Sequence, residues 1–321
     1  MTAAPDLFDP ASAADHLAEG IRTAITGLGR RGAVVAVSGG VDSGVVAGLC
    51  VRALGPKRVM LLRLPERQLS EGSSDLGLEL ATKLGAPSEE ASISPALDGL
   101  GYRDLEREAI REVFPDYADD WKHKIVRSPP TGSMIVFSLT VEKPEGTQQT
   151  ERIPSGAYRK LLAATNMKQR TRKLIEYTWA DRLHYAVAGT PNLVEYDQGF
   201  FVKGGDGLAD LKPIAGLYKS QVFALARFLD LPAGIAGRAP TTETFSLTQS
   251  QEEFYYGFPH DQMDVLLWGE QNGIADDVVA EQLGLDEQAV EAGYWEIARR
   301  REATEYLHAP AVVIDAQDVR A

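Results

Sequence analysis

The chain has 321 residues, 44% hydrophobic and 25% charged, and 33 Lys and Arg against 46 Asp and Glu give a net charge of −13. This is ordinary globular composition with enough apolar residues for a sizeable core, which excludes disorder of the bulk, and its acidity argues against a nucleic-acid partner. No apolar run reaches the roughly 18–20 residues that span a bilayer, and MTAAPDLFDP is no secretory leader, so the expectation is a cytoplasmic protein with no membrane partner.

Residues 11–28 carry apolar positions at helical spacing and predict an amphipathic helix. The run Ala33–Val37 between Gly32 and Ser38 reads as a buried parallel strand. A helix over 45–54 stops before Gly55-Pro56, a strand over 58–64 ends at Pro65, and a helix over 73–85 has Ser74 as N-cap and Gly85 as C-cap. This alternation predicts a doubly wound parallel sheet flanked by helices. Residues 100–160 break the rhythm. YRDLEREAIREVF reads as a helix, and 133–154 as a β-hairpin turning near Pro144-Glu145-Gly146, together an inserted α+β-hairpin element. The pattern then resumes with a helix over 162–183, a strand over 185–189 and a helix over 217–231 closed by Pro232. A helical segment over about 261–307 completes a single α/β domain spanning 1–321.

The sharpest motif is Ser38-Gly39-Gly40-Val41-Asp42-Ser43, set between a buried strand and a helix. Glycines permit a tight turn and close backbone approach, and the helix N-terminus supplies free N–H groups and a positive dipole end. Such a turn cradles pyrophosphate. A carboxylate there repels phosphate unless a cation lies between, so Asp42 points to Mg²⁺. The Walker A pattern is absent. Gly27-Leu28-Gly29-Arg30-Arg31-Gly32 matches the dinucleotide fingerprint but precedes its strand instead of following it, so it reads as a helix-to-strand connection.

Gly189-Thr190 to Asp197 leaves a strand's carboxyl end, where open α/β sheets bind ligands, and Glu195 is a candidate second carboxylate for the cation. The run 200–213 packs aromatics, glycines, Asp206, Asp210, Lys203 and Lys212 into a short loop, suited to a planar ring or to a surface turn. Lys219 opens the next helix and is a candidate phosphate contact. Cys50 excludes a disulfide framework and reads as a core residue, and His16, His123, His184, His260 and His308 show no metal-ligand spacing. Phe114, Tyr117 and Trp121 read as core of the insert.

Taken in order, SGGVDS at 38–43, Arg170-Thr171-Arg172, G-T-x-x-x-x-E at 189–195, the run 201–210, the segment 213–222 and Pro240-Thr241-Thr242 resemble the ammonia-dependent NAD synthetase family of the N-type ATP pyrophosphatase (PP-loop) superfamily, over about residues 15–95 and 160–300. The resemblance implies an adenine nucleotide alpha hydrolase-like fold, ATP as co-substrate, Mg²⁺, a homodimer, and amidation of nicotinic acid adenine dinucleotide through an acyl-adenylate. By similarity Ser38, Gly39, Gly40, Asp42, Ser43, Arg170, Thr190, Lys219 and Thr241 bind ATP. Asp42 and Glu195 hold the metal, and Asp42, Lys219 and Asp206 are catalytic. Phe201, Lys203, Asp206 and Asp210 face the acid substrate. No glutaminase motif accompanies these, so ammonia arrives free or from a separate glutaminase.

The chain departs from the family pattern at Glu243, in Ser246–Glu253, and in the length of 100–160. Those departures keep a second reading open, an ATP-dependent amide synthetase of the same scaffold acting on another carboxylate. A tRNA-modifying PP-loop enzyme would want a basic face and further cysteines. A non-catalytic nucleotide binder has no need of Asp42, Glu195 and Lys219 together.

Overall fold

The computed structural model describes residues 8–67, 72–128, 136–238, 241–242 (backbone only) and 244–314. Helix α1 (Pro10–Gly27) starts at the Asp9 N-cap, whose carboxylate accepts the Ala11 N–H, and buries Ala14, Ala18, Ile21 and Ile25 at three- and four-residue spacing. It is followed by β1 (Ala33–Ala36), α2 (Val41–Leu54), β2 (Val59–Arg63), α3 (Ser73–Leu84) and β3 (Ser88–Glu90). Two of these depart from expectation. Helix α2 begins at Val41, four residues early, so half of the SGGVDS motif is its first turn. Helix α3 is entered through Gly72 at φ +82°, and Ser74 does not cap it: its hydroxyl donates to Glu90 at 2.5 Å and accepts Arg63 Nη1 at 2.9 Å.

A short helix α4 (Ser94–Gly99) precedes the insert, which comprises α5 (Tyr102–Arg111), β4 (Lys122–Arg127), β5 (Phe137–Glu142) and β6 (Gln148–Arg152). The hairpin β5–β6 turns at Pro144–Gly146 as expected, with Gly146 N–H donating to the Lys143 carbonyl. A third strand, β4, was not expected. It pairs antiparallel with β5 and buries His123, Ile125 and Arg127 on alternate positions. The sheet closes over α5 and the first turns of α6 (Ser155–Leu183), with Ile110, Ile125, Leu139 and Leu161 at its core. Buried Arg127 bolts it to the C-terminal part of the chain: Nη2 donates to Glu296 and Nη1 to the Tyr255 carbonyl, each at 2.8 Å.

Then come β7 (Ala186–Val187), α7 (Leu193–Asp197), α8 (Lys219–Phe228), α9 (Ala233–Ala236), a two-residue ribbon β8 (Thr241–Thr242) and β9 (Gln249–Ser250), and a π-helical stretch Glu252–Tyr256. The helical C-terminal segment resolves into α10 (His260–Asn272), α11 (Asp276–Leu283) and α12 (Glu287–His308).

Four strands form a parallel sheet in the order β3-β2-β1-β7. Alternate residues of β1 face opposite cores. Ala33 and Val35 pack with α1, α2 and α8, while Val34 packs with Leu97, Tyr102, Ala164 and Ala180 on the other side. Helices therefore cover both faces, as a parallel sheet requires. The chain runs outward from β1 to β2 and β3, then returns through the insert and α6 to place β7 on the opposite flank of β1. That reversal opens a crevice at the carboxyl ends of β1 and β7, where open sheets bind ligands. No helix among the described residues is long and apolar enough to cross a membrane. The Gly27–Gly32 run is the helix-to-strand connection it was expected to be. A Cβ on Gly32 would lie 2.3 Å from the Arg58 carbonyl oxygen, so close packing accounts for that glycine. Cys50 is buried in the core.

Candidate functional site

A cavity of about 660 Å³ opens at this crevice. Its phosphate-like end is the 38–43 turn. Gly39 adopts φ +75°, which permits the turn, and the N-cap of α2 is Gly40, which has no side chain to cap it, leaving first-turn N–H groups for an anion. The turn braces itself. Ser38 N–H donates to Ser43 Oγ at 3.2 Å, Ser43 Oγ donates to the Gly40 carbonyl at 3.0 Å, and Gly40 N–H donates to Ser38 Oγ at 3.3 Å. Arg238 reaches over it, donating to the Gly39 carbonyl at 3.4 Å.

The loop after β7 meets this turn through Asn192. Its Nδ2 donates to Asp42 Oδ1 at 3.0 Å, its Oδ1 accepts the Glu195 N–H at 3.0 Å, and its own N–H donates to Glu195 Oε2 at 3.2 Å. One residue thus caps α7 and links the two carboxylates. Lys219 Nζ is paired with Asp42 Oδ2, and Gln251 Nε2 donates to Glu195 Oε1 at 2.8 Å. Asp264 sets Lys219 in place by accepting the N–H groups of Lys219 and Ser220 at 3.0 and 2.7 Å. Burial and the charge of Asp42 push the Glu195 carboxyl up to about 7. Burial opposes the charge of Lys219, but Asp42 and Glu195 outweigh it and hold its pKa above the ordinary lysine value. Two carboxylates linked through one side chain raise the cost of charging both, and the Lys219 ammonium offsets part of that cost. Among the described residues no group of three or more His, Cys, Asp or Glu gathers to hold a metal ion.

The middle of α6 lines another side of the cavity. Lys168, Lys173 and Glu176 are buried there, with Lys173 Nζ donating to Glu176 Oε2 at 2.7 Å. Asp206 lies across from them. Its Oδ1 accepts the Val202 N–H at 2.6 Å, and burial pushes its carboxyl up against the pull of that N–H, Lys173 and Arg172. Phe201 stacks on Tyr196 at 5.9 Å between ring centres. Arg170 and Thr190 are on the cavity wall.

Two expected substrate contacts have partners within the protein. Asp210 is not on the wall: its carboxylate accepts the Val187 N–H at 2.7 Å and the Tyr177 hydroxyl at 3.2 Å, which ties the loop to β7 and α6. Lys203 is on the wall, but its ammonium is taken by the carbonyls of Tyr306 and Ala309 at 2.7 and 2.8 Å, at the C-terminal end of α12. Thr241 lies in β8, its side chain outside the described residues, as are Pro240 and Glu243. Sequence reasoning missed Asn192, Gln251, Asp264 and Arg238. Asn192-Leu-Val-Glu195 is a readable capping-box pattern; the others are brought in by packing alone.

The NAD synthase family model matches residues 13–112 and 140–310. The NH(3)-dependent NAD(+) synthetase of Mesorhizobium japonicum is 48% identical, over 94% of this chain and 96% of its own. That of Rhizobium meliloti is 47% identical, over 94% and 91%. Among solved structures, the NMN synthetase of Francisella tularensis superposes with a TM-score of 0.66 at 22% identity, covering 96% of this chain and 99% of its own. The NH3-dependent NAD synthetase of Campylobacter jejuni gives 0.62 at 19%, covering 96% and 100%. At those identities the structural likeness bears on the fold.

Proposed function

This chain belongs to the NAD synthase family, and we propose which of its residues carry out the family's reaction. It is a ligase that forms a C–N bond, with ATP as co-substrate, amidating nicotinic acid adenine dinucleotide to NAD⁺ with ammonia. The substrate carboxylate attacks the α-phosphorus of ATP and pyrophosphate leaves. Ammonia then attacks the acyl carbon of the adenylate, AMP leaves with the C–O electron pair, and the nitrogen sheds a proton.

The observation that carries the residue assignment is the convergence of Asp42, Glu195 and Lys219 at the β1–β7 crevice, joined by Asn192. Ser38, Gly39, Gly40 and Ser43 receive the pyrophosphate end of ATP, with Arg170, Thr190 and Thr241 around the nucleotide. Asp42 and Glu195 would hold Mg²⁺, which when bound supplies charge neutralisation at the phosphates. Lys219 adds its own positive charge where negative charge develops, the kind of fixed electrostatic contribution that dominates such chemistry. Phe201 packs near the pyridine ring. Asp206, a half-buried carboxylate with raised pKa, takes the proton from the attacking nitrogen. Lys203 acts on the acceptor side by holding the end of α12. The chain works as a single domain, as a homodimer in the cytoplasm, on ammonia that is free or handed over by a separate glutaminase.

The test is to incubate the protein with Mg-ATP, ammonium and nicotinic acid adenine dinucleotide and to follow NAD⁺ with a coupled dehydrogenase. Rapid NAD⁺ formation at micromolar acid is expected. AMP release only with some other carboxylate would overturn the reading.

A further inference from the structure

The family model passes over residues 113–139, and among the described residues of that segment Phe137, at the start of β5, is the one on the cavity wall. Its ring stacks on Tyr158 of α6, 4.8 Å apart and inclined by 22°. Both rings line the cavity and are half-buried, whereas Ile125 and Leu139 of the same sheet are fully buried. A pair serving only the core would be closed over in the same way. Phe254 packs on this cluster and lies 6.0 Å from Phe200, the neighbour of Phe201. An aromatic wall therefore runs from the inserted sheet to the loop bearing Phe201 and Asp206. The wall is rigid. Phe137 is paired across the sheet with Arg127, which the buried Glu296 contact holds, and the Phe137 carbonyl accepts the Ile153 N–H at 3.1 Å.

We propose that Phe137 and Tyr158 form a stacking wall for a flat heteroaromatic ring of the acid substrate, so that the insert sets acceptor recognition while ATP is held at the strand ends. The proposal rests on the acceptor-side reading above. Polar hydroxyls, amides and charges converge on the strand ends, and the Phe137–Tyr158 face offers ring surface, which binds rings by offset stacking. A pyridine ring and an adenine ring share that chemistry, and the acid substrate carries both.

The experiment measures steady-state kinetics of Phe137→Leu, Tyr158→Leu and the ring-retaining Phe137→Tyr and Tyr158→Phe. The Leu variants are expected to raise KM for the dinucleotide acid by about tenfold, within the range lost with one base–ring stack, while KM for ATP stays within twofold. The ring-retaining variants should restore KM, which a merely structural change would not predict. Inhibition by nicotinic acid mononucleotide separates the sources: its Ki rises in parallel if the pyridine stacks and stays constant if the adenine does. A rise in KM for ATP instead, or unchanged KM for the acid in folded Leu variants, overturns the proposal. If Phe137→Leu fails to fold, Tyr158→Leu tests the same wall from α6. Failure of the functional reading itself is separate, since it appears as absent NAD⁺ formation by the unaltered protein.

Discussion

The parallel sheet and the inserted antiparallel sheet face the same cavity, and they contribute by opposite means. The parallel strands stop short and hand over to loops of serine, glycine and carboxylate, whose hydrogen bonds and helix ends make a polar cradle. The antiparallel strands bring aromatic surface, set by cross-strand pairing and a buried ion pair. A cradle of the first kind depends on individual atoms. A wall of the second kind depends on how the whole sheet is seated. Single substitutions should therefore stop chemistry in one half, and loosen recognition or stability in the other.

The largest effect expected is at Asp42. Asp42→Ala should lower turnover on the order of 10³-fold, as loss of a fixed transition-state contact does, with circular dichroism unchanged, since no apolar core residue is altered and Glu195 still acts on the buried Lys219 charge. Near-normal pyrophosphate release would remove Asp42 from the metal site and erase the contrast. Next comes Arg127→Met, which cuts the ties from β4 to Glu296 and to the Tyr255 carbonyl and leaves Glu296 paired with Arg300 alone. Each hydrogen bond made by a charged group is worth about 1.5–3 kcal/mol and two are lost, so the melting temperature should fall clearly, with KM for the acid rising before kcat declines. An equal loss of kcat and ATP affinity would show that the two sheets do not act separately.

The pH profile sharpens the comparison. Glu195 binds a cation only as the carboxylate, and its pKa is pushed up to about 7. Rate at subsaturating Mg²⁺ should therefore rise with pH through about 7, and Glu195→Gln should flatten that limb. The same shift sets a stability trend: between the unfolded value near 4.5 and about 7 the folded protein binds the extra proton, so this group's contribution declines as pH rises. A limb at 7 that survives in Glu195→Gln assigns it to another group. The smallest effect belongs to Lys203→Met. It should increase proteolysis near the end of α12 and change KM for the acid by only a few-fold, because its ammonium is engaged by backbone carbonyls. A large KM change with unchanged proteolysis would return Lys203 to direct substrate contact.

What the sequence showed divides along the same line. SGGVDS and G-T-x-x-x-x-E were legible because strand-end loops are written in consecutive residues. Residues 41–44 were not seen as helix because Gly40 carries no capping side chain, and Ser74 misled because Gly72 does the turning. Strand β4 was hidden because two of its three inward positions are His123 and Arg127, polar residues that break the apolar alternation. Asp210 sits within a run of plausible ligands, and only the fold shows it bonded to β7. Gln251 and Asp264 reach the site from 56 and 45 residues away from their partners, a distance over which no local pattern operates.

Helix α6 spans 29 residues, about 43 Å at 1.5 Å per residue. Its first turns support the inserted sheet, its middle lines the cavity with Lys168, Lys173 and Glu176, and Ala180 near its far end rests on the parallel sheet. It acts as a ruler. Chain length added ahead of residue 155 is read out at one end of the rod, and the catalytic floor farther along keeps its position. A change in the inserted sheet therefore reshapes one wall of the cavity and leaves the polar floor where it was.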